Sequence, residues 1–129
     1  KDYPTNEWEM LRTALYIQAQ GVRHPDRQSY TGYGWYRTDV DLKADQVAGK
    51  VHIHFPGMFN DCWVYVNGQQ VGERKCGSPL WWLTDYRFEM DVDLTGKLKT
   101  GTNTVAVRFY NPHHFGGMFR RPFLYTAVR

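Results

Sequence analysis

Asn60-Asp-Cys-Trp-Val-Tyr-Val-Asn-Gly-Gln-Gln-Val-Gly72 reads as one β-strand, a two-residue turn and the start of the returning strand. Asn67-Gly68 is the strongest short-range hairpin signal, because a tight type I′ turn needs positive φ at both central residues. Before the turn, Cys62, Val64 and Val66 alternate with Trp63 and Tyr65. That period of two puts an aliphatic face and an aromatic face on opposite sides of one sheet.

The same period recurs on either side. Tyr36, Thr38, Val40 and Leu42 alternate with Trp35, Arg37, Asp39 and Asp41, and Val51, Ile53 and Phe55 alternate with His52 and His54. Further strands are expected at 14–19, 88–94, 104–110 and 122–128. Residues 6–12 have the spacing for one or two helical turns behind Asn6 as N-cap. Polar, turn-rich stretches at 21–34, 45–49, 76–86, 96–103 and 111–121 separate the elements, with a single helical turn possible in 96–103. Short alternating strands between Gly-, Pro- and Asn-rich turns, with almost no helix, give an all-β fold, an antiparallel β-sandwich. No repeat or linker divides residues 1–129, so they are read as one domain.

Sixteen basic and thirteen acidic residues leave a net charge of +3, too balanced for a nucleic-acid binder. No apolar run approaches the roughly 20 residues of a membrane span. No signal-peptide pattern opens the chain, and a first residue of Lys1 rather than Met is read as a mature or excised fragment. Five Trp, nine Tyr and seven Phe are about twice an ordinary aromatic share, more than a core of this size needs, so some rings belong at a working surface. Cys62 and Cys76 permit one disulfide, and the sequence leaves it open; Cys62, on the aliphatic face, is equally ordinary as a buried free thiol.

Four segments in order carry a resemblance. They are Gly34-Trp-Tyr-Arg37; Asp61 to Gly72; Phe88-Glu-Met-Asp-Val92 with Leu98-Lys-Thr-Gly-Thr-Asn-Thr-Val-Ala-Val107; and Gly116-Gly-Met-Phe-Arg120. Together, over residues 34–129, they resemble the N-terminal sugar-binding domain of glycoside hydrolase family 2, the β-galactosidase, β-glucuronidase and β-mannosidase group. The resemblance implies a jelly-roll, galactose-binding-like sandwich, an oligo- or polysaccharide as ligand, and a catalytic (β/α)-barrel domain as partner. In that family the catalytic glutamates sit on the barrel, so no catalytic residue is carried over. It also implies an extracellular or periplasmic enzyme, with galactose-type polymers as the first substrates to try. The chain departs from the family pattern at Ser78-Pro-Leu-Trp-Trp-Leu-Thr-Asp-Tyr86, which is longer and richer in Trp, and at Asn111-Pro-His-His-Phe115.

Two loops supply candidate sugar contacts. Trp81, Trp82 and Tyr86 offer faces on which sugar C–H groups stack, beside Asp85 and Arg87 as polar partners. The alternative is that one Trp caps the core and the other packs on a neighbouring domain. In the loop 111–121, the resemblance implies that Asn111, His113, His114 and Arg120 meet sugar hydroxyls, which suit an imidazole that both donates and accepts. Arg120 is equally suited to bonding loop carbonyls. His52 and His54 share a strand face and invite a metal reading, but Phe55-Pro-Gly-Met-Phe-Asn-Asp61 supplies no following Glu, so no metal site is assigned and no cofactor is expected. The two Asp-Val-Asp-Leu segments, 39–42 and 91–94, leave a structural calcium open, against the simpler account of solubilising charges on strands. Trp35, Trp63 and Tyr65 either line a sheet face or fill the gap between sheets, with burial expected for Trp63. The leading expectation is a non-catalytic carbohydrate-binding domain. Its rivals are a scaffold domain with no sugar affinity of its own and a small metal-dependent enzyme.

Overall fold

The computed structural model describes residues 4–26, 29–77 and 88–127. Among them, four strands form the larger antiparallel sheet: β1 (Gly32–Leu42), β4 (Asp61–Val66), β5 (Gln69–Arg74) and β7 (Gly101–Asn111), in the order β1-β7-β4-β5. A second sheet has the order β6-β2-β9, from β2 (Val51–Phe55), β6 (Met90–Asp93) and β9 (Phe123–Thr126). A two-residue ribbon of β3 (Met58–Phe59) and β8 (Gly117–Met118) stands apart from both sheets.

The larger sheet and the β6-β2-β9 sheet stack through the faces that the alternation marks as aliphatic. Cys62, Val64 and Val66 from β4 and Val105 and Val107 from β7 meet Ile53 and Phe55 from β2 and Met90 and Val92 from β6 in one buried cluster. Each large apolar side chain taken fully out of water there contributes about 1.5–3 kcal/mol. Among the described residues, the buried apolar side chains include only Phe55, Phe59 and Phe109 as rings, so most of the described rings lie outside the core. Trp63 is a correction: it is half-buried on the outer face of the large sheet, because it alternates with Cys62 and Val64, which fill the inside.

The hairpin turn has the expected geometry, with Asn67 at φ 50° and Gly68 at φ 86° joining β4 and β5 through two residues. It is tied to a second turn. The Asn67 backbone N–H donates to Thr104 O (2.9 Å), its side-chain oxygen accepts from Thr104 N (3.1 Å), and its side-chain amide donates to Asn103 Oδ1 (3.0 Å). Asn103 is fully buried. Its Oδ1 also accepts from Lys99 N, and its Nδ2 donates to the carbonyls of Lys99 and Gly101.

Both cysteines are free. Cys62 directs its thiol at Met90 Sδ (3.3 Å), and burial pushes its pKa up to about 11. Burial, with a hydrogen bond to Asp61, takes Cys76 up to about 12.

The N-terminal third departs from expectation. Residues 6–12 form no helix behind Asn6; a turn closes at Trp8 N to Thr5 O (3.0 Å). The strand expected at 14–19 is instead a 3₁₀ turn, Ile17–Gln20, closed by Gly21 at φ 93°. Tertiary docking overrides the local pattern: Gln18 is buried, donating to Tyr30 O and accepting from Gly116 N, while Ile17 N donates to Gly116 O. Smaller differences are a short helix at Ala44–Val47 where a turn was expected, no helical turn in 96–103, and strand β8 inside the loop 111–121.

Asn103→Asp tests the turn-to-turn lock. It fits the space but sets a carboxylate oxygen against two carbonyls, so stability measured by urea denaturation should fall by about 3 kcal/mol, given roughly 1–3 kcal/mol for each buried polar group left unmatched. A change under about 0.5 kcal/mol, the scatter typical of surface substitutions, would refute the lock.

Candidate functional site

The loop from Asn111 to Arg121 closes one end of the sandwich. Asn111, a predicted sugar contact, is fully buried. Its amide donates to Tyr30 O (3.2 Å) and His114 O (3.4 Å), so it holds the loop in shape. His114 is exposed, at φ 53°, with its Nδ1 2.9 Å from that of the half-buried His113. Arg120 is exposed and its charge lies near Tyr16, whose hydroxyl pKa is raised by burial against that opposing pull. Rings line this end in sequence: Phe115 beside Tyr16 (5.6 Å), Tyr16 stacked on Phe119 (4.8 Å), Phe119 edge-on to Phe88 (5.5 Å), and Phe88 beside Phe59 (5.7 Å). Gly117, at φ 79°, lets Tyr36 Oη press against the backbone and accept from Met118 N (3.1 Å). Burial takes the Tyr36 hydroxyl up to about 12. His113, His114 and Arg120 therefore share one loop surface. Trp81, Trp82 and Tyr86 lie outside the described residues.

The outer face of the large sheet is the second place. Alternation turns Tyr33, Trp35 and Arg37 of β1, Trp63 and Tyr65 of β4, and Ala106, Arg108 and Tyr110 of β7 away from the core. Trp35 and Tyr65 lie 5.4 Å apart at 40°. Tyr33 packs on Tyr110 (4.7 Å) and approaches Trp63 (6.4 Å), while the Arg108 guanidinium sits 4.1 Å over Tyr33 and 5.2 Å from Trp63. Trp8 from the N-terminal arm stands across from Trp35, and with Arg37, Tyr65, Thr104 and Ala106 they line a cleft of about 680 Å³. Trp35 is 46% exposed and Tyr33 50%, which is high for rings of this size with no structural need to be wet.

The opposite outer face, on the β6-β2-β9 sheet, carries the two strand histidines. His52 Nδ1 lies 2.7 Å from Asp91 Oδ1, His54 Nδ1 3.2 Å from Asp91 Oδ2, and Tyr125 donates to the same Oδ2 at 2.9 Å. A carboxylate only accepts, so each imidazole presents Nδ1–H to it. His52 stacks on Tyr125 and His54 tilts on Phe123. Burial acts upward on Asp91, but the hydrogen bonds from His52, Tyr125 and His54 outweigh it and hold its pKa below the ordinary 3.8. Among the described residues no group of three or more His, Cys, Asp or Glu is arranged to hold a metal ion. Asp39 and Asp41, weighed as calcium ligands, accept hydrogen bonds from Thr104 and Thr102 across the strand pair, and Asp93 accepts from Thr95 N.

No protein-family model matches the sequence. Over 113 residues the chain is 31% identical to a putative beta-glucuronidase of Formosa agariphila, a match covering 82% of the chain and 10% of that protein. It is also 31% identical over 113 residues to a beta-galactosidase of Thermoanaerobacter pseudethanolicus, covering 75% of the chain and 14% of that protein. The chain belongs to glycoside hydrolase family 2. A solved beta-glucuronidase from glycoside hydrolase family 2 shares its fold, with a TM-score of 0.73 and 24% identity over 95% of the chain and 15% of that structure. The chain thus spans about a seventh or less of the length of these two relatives.

Sequence reasoning assigned the sugar contacts to loop residues and left Trp35, Trp63 and Tyr65 open between lining a sheet face and filling the gap between sheets. The signal was present: the residues alternating against the aliphatic positions of β1, β4 and β7 are mostly rings and arginines. What the sequence lacked was the strand order, which sets β7 between β1 and β4 and so gathers the rings. It gave no sign that Trp8 reaches the same face.

Asp91 offers a pH test. Its folded pKa is depressed, so its contribution to stability is complete above the unfolded value of 3.8 and disappears as pH falls through the lower folded value. Thermal melts of the parent chain and Asp91→Asn should differ most above that value and converge below it. A constant gap down to the acid end would show that the carboxylate cluster does not stabilise the β6-β2-β9 sheet.

Proposed function

We propose that the chain is a non-catalytic carbohydrate-binding domain of a family 2 glycoside hydrolase, acting on an oligo- or polysaccharide outside the cytoplasm. The observation that supports it best is the open cleft in which Trp35, Tyr65 and Trp8 offer ring faces beside Arg37 and Thr104. Sugars present flat C–H faces to aromatic rings and hydroxyls to the polar groups around them. A shallow, wet site of this kind binds weakly, on the order of micromolar to millimolar. Tethered to a catalytic (β/α)-barrel, it raises the effective concentration of polymer at that barrel. The names of the relatives make β-galactosides and β-glucuronides the first glycans to test.

One observation favours the rival, a scaffold for the catalytic domain. Phe115, on the same loop as His113 and His114, is 56% exposed, and a ring at that end suits cover by a neighbouring domain. Calorimetric titration of the 129-residue chain against galactans, glucans, mannans and uronides separates the two. Binding is expected, with Trp35→Ala abolishing it while moving the melting temperature by no more than a few degrees, as for a surface ring. Loss with His113→Ala/His114→Ala instead would move the site to the loop end, and silence across the panel would leave the scaffold.

A further inference from the structure

Arg108 is the least explained charge on the sheet face. It lies at the middle of β7, opposite Trp35 on one side and Trp63 on the other. Its guanidinium rests on the rings of Tyr33 and Trp63 and makes no ion pair among the described residues. The carboxylates of the same face are engaged elsewhere. Asp39 and Asp41 accept from Thr104 and Thr102, Asp61 accepts from Cys76 N, and Glu73 takes Gln70 and Lys75. Arg37 adds a second guanidinium two residues along β1 from Trp35, inside the cleft. A planar, stacked guanidinium is held in one orientation at low entropic cost, and its free edge matches a carboxylate with two parallel hydrogen bonds.

We propose that this face selects acidic glycans, with Arg108 reading the carboxylate of a uronate residue while Trp35, Tyr65 and Trp8 hold the neighbouring sugar ring. The proposal rests on the carbohydrate-binding reading and narrows it to a substrate class. From Tyr33 to Arg37 the strand covers about 13 Å at roughly 3.3 Å per residue, an oligosaccharide's reach rather than a monosaccharide's. The mechanism is division of labour: rings supply sequence-blind stacking, and the cation discriminates against neutral chains through a charge-assisted bond on a half-desolvated surface.

The test titrates the full chain with an oligogalacturonate and with a neutral galacto-oligosaccharide of the same length. The acid is expected to bind roughly tenfold tighter, the factor that one charge-assisted hydrogen bond supplies. That preference should shrink as ionic strength rises from about 0.05 M to about 0.5 M. Arg108→Gln should remove it while leaving neutral binding within about twofold. Arg108→Lys, which keeps the charge without the planar stack, should retain part of it, and so separates lost charge from a collapsed platform. Trp35→Ala should abolish binding of both ligands alike. Equal affinity for the two oligosaccharides, or an acid preference that survives Arg108→Gln, overturns the proposal while sugar binding stands. No binding of either ligand overturns this proposal, and silence across galactans, glucans, mannans and uronides overturns the carbohydrate-binding reading with it.

Discussion

The pairing of Asn67 with Asn103 and Thr104 fixes the rest. Asn67 sits in the hairpin turn and Asn103 36 positions later near the start of β7, and their amides bind each other and the carbonyls of Lys99 and Gly101 in a knot around the buried Asn103. The knot sets β4 against β7 with Val66 opposite Val105. A slip of one residue would turn every side chain of β4 to the other face. Cys62, Val64 and Val66 would meet water, and Trp63 and Tyr65 would be driven into a space filled by Val92 and Phe55. The aliphatic core and the aromatic platform are therefore two consequences of one register.

That register also explains why the molecule carries distinct chemistry on its two outer surfaces. On the large sheet, rings and guanidinium groups gather because β7 lies between β1 and β4 and brings Arg108 between Trp35 and Trp63. On the other sheet, β2 lies between β6 and β9, so His52 and His54 fall between Asp91 and the rings of Phe123 and Tyr125. One surface leaves a cation stacked on rings; the other closes its polar groups on one carboxylate. The first is suited to a ligand and the second to holding strands together.

The loop end separates buried, structural residues from solvent-facing ones within a few positions. Asn111 and Gly116 are buried, Asn111 bonding the carbonyls of Tyr30 and His114 and Gly116 docking the Ile17–Gln20 turn, whereas His114, Phe115 and Arg120 face solvent. Sequence reasoning placed Asn111 and the histidines in one set because they are neighbours in the chain. Burial divides them, since Asn111 ends a strand whose odd-numbered positions point inward.

The local chemistry of the chain settled most of the strands, the Asn67-Gly68 turn and the alternation of the β4 faces, because each follows from a period of two or from turn residues with few conformational choices; the family came from the resemblance carried by four segments in order. It misjudged 6–12 and 14–19, where weak local preferences yield to the burial of Gln18 against the loop at Gly116. It did not assemble the sheet-face cleft because no window of sequence contains it: Trp8, Trp35, Tyr65 and Thr104 come from four separate segments. Strand order and register are long-range properties, decided by which apolar faces bury each other best, and the cleft exists only once that choice is made.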